Sequence, residues 1–462
     1  MIKLKNTISK EIFNVGRLFG TDGARGVAIT ELTTELAMQI GKAAAIVLSK
    51  ECDHTPKILI GKDTRISGDI LEAALVAGIC SVGADVHILG VIPTPAVALL
   101  VKEYKADAGV MISASHNSVE FNGIKLFSNT GFKLPDNVEE EIEELILDRP
   151  QDIALKDGCE VGRVYYEANS EWDYVRHIIG SVDSGFKGVR VAIDCANGAS
   201  YSTAKKIFEG LGADVVFISN EPDGTNINEN CGSTHMENLM KTVAEKKCDL
   251  GLAFDGDADR CLAVDENGNL VDGDKLLAIF SRFMKANGLL KHNCCVVTVM
   301  SNLGFFKFAK ENGVVTATTK VGDRYVLEEM LKGGYNIGGE QSGHIIFLDH
   351  ANTGDGELTG VKLIDVMKKT GLKLSELASC MEVYPQVLVN VRITPDMKGK
   401  WETDKAVQDA IKLYSEKLGS DGRILVRESG TEPLVRVMIE GKLTGVITEY
   451  ANNIAKLVGE MK

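Results

Sequence analysis

No apolar run in this chain of 462 residues approaches the roughly 20 residues that a membrane-spanning helix needs. Nor is Met1-Ile2-Lys3-Leu4-Lys5 followed by the apolar core of a signal peptide. Neither a membrane nor secretion is expected, and a cytoplasmic protein is. No Cys-x-x-Cys pair occurs among the ten cysteines. Cys80, Cys195, Cys261, Cys294 and Cys295 lie in apolar contexts. Buried free thiols in a reducing compartment suit them better than disulfides or a thiolate metal site. Positive charge is in deficit, 51 Lys and Arg against 65 Asp and Glu, for a formal net charge of −14. That argues against nucleic acid as the main partner, yet leaves room for a small anion held by a few local cations.

What is present is concentrated in a few loops. The apolar run Leu250-Gly251-Leu252-Ala253-Phe254 ends in Asp255-Gly256-Asp257-Ala258-Asp259-Arg260. Three carboxylates at alternate positions repel one another, so a fold that keeps them at the end of a buried strand is expected to supply a cation. Oxygen-only ligands favour Mg²⁺, Mn²⁺ or Ca²⁺ over zinc. An EF-hand loop would place Glu266 at its twelfth position, but its sixth position should be Gly and is Arg260. The flanks also read as strands, so that alternative fails.

A chain of this length exceeds what one core serves, so three or four domains are expected. Three segments share one grammar. The first runs from Lys57-Ile58-Leu59-Ile60 through a helical stretch (Ile70 to Ser81) and a second helix to Ala106 to Ile112. The second runs from Val189 to Ile193 and ends at Cys248 to Phe254; the third runs from Cys295 to Val299 and ends at Tyr335 to Gly338. Apolar strands alternating with helices indicate three related α/β domains with mixed, largely parallel sheets. After about Cys380 the order changes to strand (Val387 to Ile393), helix (Asp404 to Leu418), strand, strand (Val435 to Glu440) and helix, a C-terminal α+β domain. Domains are expected at 1–163, 164–265, 266–380 and 381–462, arranged around a central cleft. The Glu-rich helix before Asp148 carries Val138, Ile142, Leu145 and Ile146 on one face, so its glutamates read as the solvated side.

Polar loops follow the last strand of each repeat: Ser113-Ala114-Ser115-His116-Asn117, then Asp255 to Arg260, then Gly339-Glu340-Gln341-Ser342-Gly343-His344. Ligands of open α/β sheets bind outside the carboxyl ends of strands, which is where these loops fall. In the last domain, Arg427-Glu428-Ser429-Gly430-Thr431-Glu432-Pro433, with Arg436 beyond, suits a phosphate: guanidinium forks bind it bidentately, and small residues let backbone N–H groups approach. Gly20 to Gly26 has a similar composition. Ser115 beside His116 is a candidate nucleophile, with Lys125 ten residues on. With a metal loop, these residues suit phosphoryl transfer.

Taken in order, the motifs resemble the α-D-phosphohexomutase superfamily over nearly the whole chain. They are Leu18-Phe19-Gly20-Thr21-Asp22-Gly23, Ser113 to Asn117 with Asn122-Gly123-Ile124-Lys125, Asp255 to Arg260, Thr319-Lys320-Val321-Gly322, Gly339 to His344, and Arg427 to Pro433. The resemblance implies that Ser115 carries a phosphoryl group and that Asp255, Asp257 and Asp259 hold one Mg²⁺ together with it, with Arg260 near the metal. It implies that Lys320, Glu340 and Ser342 contact the sugar, and that Arg427, Ser429, Gly430, Thr431 and Arg436 grip the non-reacting phosphate. Lys125 and His344 match general acid/base candidates; Arg25 and His116 lie near the phosphoserine.

Ser113, Ala258 and Gln341 stand where other branches often have Thr, Gly and Met, which favours the glucosamine branch. The implied reaction interconverts glucosamine 6-phosphate and glucosamine 1-phosphate through a bound 1,6-bisphosphate, feeding UDP-N-acetylglucosamine synthesis. Glucosamine 1,6-bisphosphate or a similar compound would be the activator. The implied partner is a small phosphosugar, and the implied assembly a monomer or homodimer. Alternatives are the mannose or glucose phosphate branches, a metal-dependent phosphatase working through Asp255, and a non-catalytic sugar-phosphate-binding protein. Two positions depart from the family pattern. Ala24 stands where Ile is common, and Ser118 replaces the usual Pro, which is expected to free the backbone after the Ser115 loop.

Overall fold

The computed structural model describes residues 17–461 apart from 21, 51 and 430–432. Their strands form four sheets. The first contains β1 (Phe19–Gly20), β2 (Gly23–Val27), β3 (Lys57–Lys62), β4 (Asp85–Val91), β5 (Ala108–Ile112), β6 (Phe121–Ser128) and β7 (Val164–Tyr166), in the order β1-β2-β6-β5-β3-β4-β7. The second contains β8 (Arg190–Asp194), β9 (Asp214–Ile218), β10 (Leu250–Phe254), β11 (Cys261–Asp265) and β12 (Leu270–Val271), in the order β12-β11-β10-β8-β9. In the third, β13 (Cys294–Thr298), β14 (Val315–Thr319), β15 (Ile337–Gly339) and β16 (Ile345–Phe347) run β14-β13-β15-β16. The last is an antiparallel sheet, β17-β19-β18, of β17 (Gln386–Arg392), β18 (Gly422–Glu428) and β19 (Leu434–Gly441).

Each of the first three sheets has a parallel part that ends in a reversal. β5, β10 and β15 are paired with parallel neighbours, and the chain then returns antiparallel as β6, β11 and β16. Every residue of β5 and of β10 is buried, as two-sided burial between helices requires of apolar parallel strands. β17 instead alternates half-buried and exposed residues, as befits a sheet covered on one face. β7, placed by its sequence at the head of the second domain, pairs in parallel with β4 of the first sheet. β12 extends the second sheet beyond residue 265.

Helices begin where local chemistry caps them. The helix Lys405–Leu418 starts after Asp404, whose carboxylate accepts from Ala406 N and Val407 N. The helix expected from Ile70 spans Ser67–Ser81. In the helix Asp136–Leu147 Ile142, Leu145 and Ile146 are buried and Val138 half-buried, but Glu143 and, in part, Glu139 depart from the solvated reading. Glu143 is 3% exposed and accepts from the backbone N–H of Arg17, Leu18 and Phe19. Periodicity put it on the polar face; the incoming chain covers that face and donates to it.

The first three units share one core. Val97, Tyr174, Ile207, Leu252, Phe280 and Leu358 belong to a single buried cluster that crosses from the first to the third. The fourth has its own, built around Val435, Val437, Ile447 and Ile454. None of the ten cysteines forms a disulfide. Among the described residues no helix is long and apolar enough to cross a membrane.

Asp355 ties the shared core to the helix Gly356–Thr370. It caps that helix by accepting from Leu358 N at 2.8 Å and accepts from the Tyr174 hydroxyl at 3.0 Å. Burial pushes its carboxyl up to about 7, whereas an unfolded Asp titrates near roughly 4. Its contribution to stability is fully present below the unfolded value and is lost as pH rises through about 7. Asp355→Asn keeps the cap but cannot ionise. Its thermal midpoint is expected to fall less between about pH 5 and about pH 8 than that of the native chain. An equal fall in both proteins would show that Asp355 does not set the slope.

Candidate functional site

Ser115 lies in the reversal between β5 and β6, 1% exposed and with φ of +53°. A β-carbon is costly in that left-handed conformation, so neighbours must hold the loop. They do. Ser115 N donates to Ser113 Oγ at 2.9 Å, and Ser113 Oγ donates to Asp63 Oδ2 at 2.6 Å. Arg65 is fully buried on the same carboxylate, Nε to Asp63 Oδ2 at 2.9 Å, and its guanidinium donates to the carbonyls of Ser115, Asn117 and Ser118. Asn228 Nδ2, from the second unit, donates to Ser115 O and Asn117 O at 2.9 Å each. Arg65 therefore grips the backbone at Ser118, the position that lacks Pro.

The Ser115 hydroxyl donates to Asp255 Oδ2 at 2.6 Å, across the boundary between the first two units. Its contact with His116 is longer. His116 Nδ1 stands 3.4 Å away and faces Arg260 Nη1 at 3.0 Å. Burial, helped by Arg260 and Arg25, lowers the imidazole to about 4, so it is neutral and accepts from Arg260.

Asp255, Asp257 and Asp259 are all buried, and one carboxylate oxygen from each lies within 4.8 Å of the others. The reversal from β10 to β11 brings them together, with Ala258 at φ +56°. Gly256 is required there, because a Cβ would meet Ser115 O at 2.5 Å. Burial and the repulsion of Asp259 and Asp257 hold the Asp255 carboxyl well above its usual range. Asp257 accepts from Lys125 Nζ at 2.8 Å and from Thr94 Oγ1. Asp257 Oδ1 and Asp259 Oδ1 are buried without a hydrogen-bond partner. Orphaned carboxylate oxygens in an oxygen-only set are what a hard divalent cation such as Mg²⁺ satisfies, so the residues fit that ion.

Lys125, on β6, starts a ladder of alternating charge. Its Nζ reaches Asp257 at 2.8 Å, Asp22 at 3.1 Å and Asp259 at 3.5 Å. Burial opposes its charge, but Asp22, Asp257 and Asp259 outweigh burial and push it well above the ordinary lysine range. Asp22 also pairs with Arg25 and Lys133, and Lys133 pairs in turn with Asp323 of the third unit. Burial opposes ionisation of Asp22, yet Lys125, Lys133 and Arg25 hold its carboxyl well below the usual range. Asp323 Oδ2 lies 3.8 Å from His344 Nε2. His344 is 3% exposed, and neither ring nitrogen has a hydrogen-bond partner.

The remaining expected residues belong to the third and fourth units. Glu340 Oε1 accepts from Gly322 N at 3.0 Å, joining the loop after β15 to the segment after β14. Ser342 and Lys320 are exposed on those two segments. Arg427 and Arg436 are direct cross-strand partners on β18 and β19, and Arg436 Nη2 is 3.4 Å from Ser429 Oγ. Two guanidinium groups opposite each other repel, and an anion between them removes that cost. Burial, and then Arg436, lowers the Arg427 pKa. This sheet is anchored to the third unit by Glu440, which is fully buried and accepts from Leu303 N at 3.0 Å. Gly430 and Thr431 lie outside the described residues.

Sequence reasoning left out Asp63, Arg65, Asn228, Lys133 and Asp323. Asp63 and Arg65 follow the carboxyl end of β3, the position that marks the other loops, so that signal was present. Lys133 and Asp323 join only through space.

Four models of one family cover most of the chain: phosphoglucomutase/phosphomannomutase alpha/beta/alpha domain I at residues 16–152, domain II at 172–268, domain III at 272–384 and the C-terminal domain at 388–457. A phosphoglucosamine mutase of Ruminiclostridium cellulolyticum is 56% identical over 444 residues, 96% of this chain and 99% of the relative. One from Acetivibrio thermocellus is 57% identical over 446 residues, with 96% and 99% covered. Among solved structures, a phosphoglucomutase/phosphomannomutase family protein of Burkholderia thailandensis superposes with a TM-score of 0.81 at 21% identity, covering 96% of this chain and 98% of that one. Aspergillus fumigatus N-acetylphosphoglucosamine mutase, in complex with GlcNAc-6P and magnesium, gives 0.67 at 17% identity, with 96% of each chain covered. At such identities the solved structures show the shared fold.

Removing charge from the Asp loop should weaken Mg²⁺ binding. Asp257→Asn is expected to lower Mg²⁺ affinity at least roughly tenfold in calorimetric titration. Unchanged affinity would place the ion elsewhere.

Proposed function

The chain belongs to the phosphoglucomutase/phosphomannomutase family, and we propose that it interconverts glucosamine 6-phosphate and glucosamine 1-phosphate through phosphorylated Ser115 and a bound glucosamine 1,6-bisphosphate. The observation that carries this reading is the Ser115 hydroxyl 2.6 Å from Asp255, at a loop with three buried carboxylates. The amino sugar is supported by the relatives at 56% and 57% identity, which bear the name phosphoglucosamine mutase. The assembly is a monomer or homodimer, and a cytoplasmic location suits ten thiols that form no disulfide.

In the first half-reaction the P–O bond to Ser115 breaks and a new one forms to the sugar hydroxyl. The proton lost by that hydroxyl balances the proton that Ser115 regains. His344, buried with both ring nitrogens unpartnered, is assigned to take the sugar proton. Lys125, kept charged by its three carboxylates, neutralises phosphoryl charge. Asp255, Asp257, Asp259 and the phosphoryl group of Ser115 would hold one Mg²⁺, which when bound acts as a Lewis acid on phosphoryl oxygens. Arg260 and Arg25 add positive charge beside Ser115, and His116 accepts from Arg260 to orient it.

Glu340, Ser342 and Lys320 are assigned to the sugar, and Arg427, Ser429, Gly430, Thr431 and Arg436 to the phosphate that does not react. The bisphosphate then turns, the same clamp takes the other end, and Ser115 recovers a phosphoryl group. A trace of bisphosphate keeps Ser115 loaded. Groups from four units must converge and then release, so the cleft is expected to open and close in each cycle.

With Mg²⁺ and a trace of bisphosphate, glucosamine 1-phosphate should convert to glucosamine 6-phosphate by phosphorus NMR, faster than the glucose or mannose 1-phosphates. Ser115→Ala should abolish conversion. Release of inorganic phosphate alone would indicate a phosphatase, and binding without turnover a carrier. His344→Ala is expected to lower kcat by at least roughly 100-fold. Asp323→Asn, which removes the charge facing His344 and the ion pair with Lys133, should cost less in kcat than His344→Ala; a loss confined to KM would remove the ladder from catalysis.

A further inference from the structure

We propose that Cys52, His54 and Asp107 form a binding site for one zinc ion on the first unit, remote from the Asp loop. Cys52 and His54 belong to the segment between the helix Thr34–Leu48 and β3, and Asp107 immediately precedes β5. β3 and β5 are parallel neighbours, with Ile58 opposite Ala108, so the cluster sits at their amino-terminal ends. Ser115 lies beyond the other end of β5. Five residues of strand separate the two places, about 16 Å of extended chain.

The three side chains already converge. Cys52 Sγ lies 3.1 Å from Asp107 Oδ1, and His54 Nε2 lies 3.1 Å from Asp107 Oδ2. One ligand atom from each residue lies within 4.8 Å of the others. In a tetrahedral zinc site with metal–ligand distances of about 2.0–2.3 Å, neighbouring ligand atoms are about 3.3–3.6 Å apart. The two 3.1 Å contacts use different oxygens of Asp107, so an ion would draw one atom of each residue inward from within 4.8 Å of one another and leave a fourth position to water.

Two further observations separate this cluster from a chance meeting of polar side chains. Asp107 is fixed before any ion arrives: its N–H donates to Lys57 O at 2.9 Å, and its Oδ2 accepts from Lys57 N at 2.8 Å. Behind the imidazole, Asp53 Oδ1 is 3.4 Å from His54 Nδ1. A carboxylate on the far ring nitrogen of a metal-binding histidine selects the tautomer that turns the other nitrogen to the metal. Here that other nitrogen is Nε2, the one that faces Asp107.

The donor set chooses the ion. A thiolate and an imidazole favour zinc over the hard cations that suit the all-oxygen Asp loop, so the two sites differ in selectivity. On binding, the Cys52 thiol releases its proton to solvent and a sulfur–zinc bond forms, with no change of oxidation state. An ion there would tie the segment before β3 to the edge of β5 and so stabilise the first unit by linkage.

The test uses the full chain saturated with Mg²⁺ and titrated with Co²⁺, whose bond to a thiolate gives a charge-transfer band in the near ultraviolet. One equivalent should generate the band, and Zn²⁺ should abolish it by displacement. Cys52→Ser should eliminate the band while leaving phosphosugar turnover unchanged. His54→Ala should weaken binding by at least tenfold, and Asp53→Asn by roughly tenfold. Zn²⁺ should raise the thermal midpoint of the native chain but not of Cys52→Ser. No band at one equivalent, or a band that persists in Cys52→Ser, would overturn the site.

Discussion

Three buried carboxylates that cannot all be charged in isolation are the constraint on which the rest of this structure depends. Asp255, Asp257 and Asp259 leave the end of β10 into a place without bulk water. Their mutual repulsion must be met by positive charge held as tightly as they are. Lys125 reaches them from β6 of a different sheet, and Arg260 from the end of their own loop. The Lys125 contact needs the first two units locked in register, as do the donation from Thr94 N to Asp257 O and the close approach of Ser115 O to Gly256. Ser115 and the Asp loop are thereby adjacent, joined by the hydrogen bond from the Ser115 hydroxyl to Asp255.

The fold meets this constraint three times with one device. A parallel strand, apolar on both faces, delivers the chain to the carboxyl edge of a sheet, and an antiparallel strand takes it away. The reversal between them is short, and its backbone is strained at Ser115 and Ala258, so side chains are aimed by strand geometry and not by loop flexibility. Arg65 shows the energetic cost of that aim. A fully buried guanidinium is spent on three carbonyls and one carboxylate to hold a loop that carries one hydroxyl.

Charge then extends outward from the metal loop. From Asp257 through Lys125, Asp22 and Lys133 to Asp323, each group is opposite in sign to the one before it, and the ladder passes from the second unit through the first to the third, where Asp323 faces His344. Such a chain fixes the relation of two units where ligands must meet. It is also polar enough to separate without the loss that parting two apolar surfaces would cause. The fourth unit, with its own core and a clamp of opposed arginines, is joined through Glu440.

The repeats, the all-apolar strands, the Asp loop and the Ser115 loop were legible in the sequence because each is local. Two-sided burial writes itself as a continuous apolar run, and close-set carboxylates or small residues mark a loop whatever surrounds it. The tertiary structure alone decided which opposite charges meet. Glu143 looked solvated by its helix period and is buried under residues 17–19. Arg65 donates to the carbonyl of Ser118, 53 residues away in the chain. Lys133 and Asp323 are 190 residues apart yet paired. Such pairs leave no period or spacing in the chain, because an ion pair depends only on distance in space, and that distance is set once three separate sheets have packed against a common core.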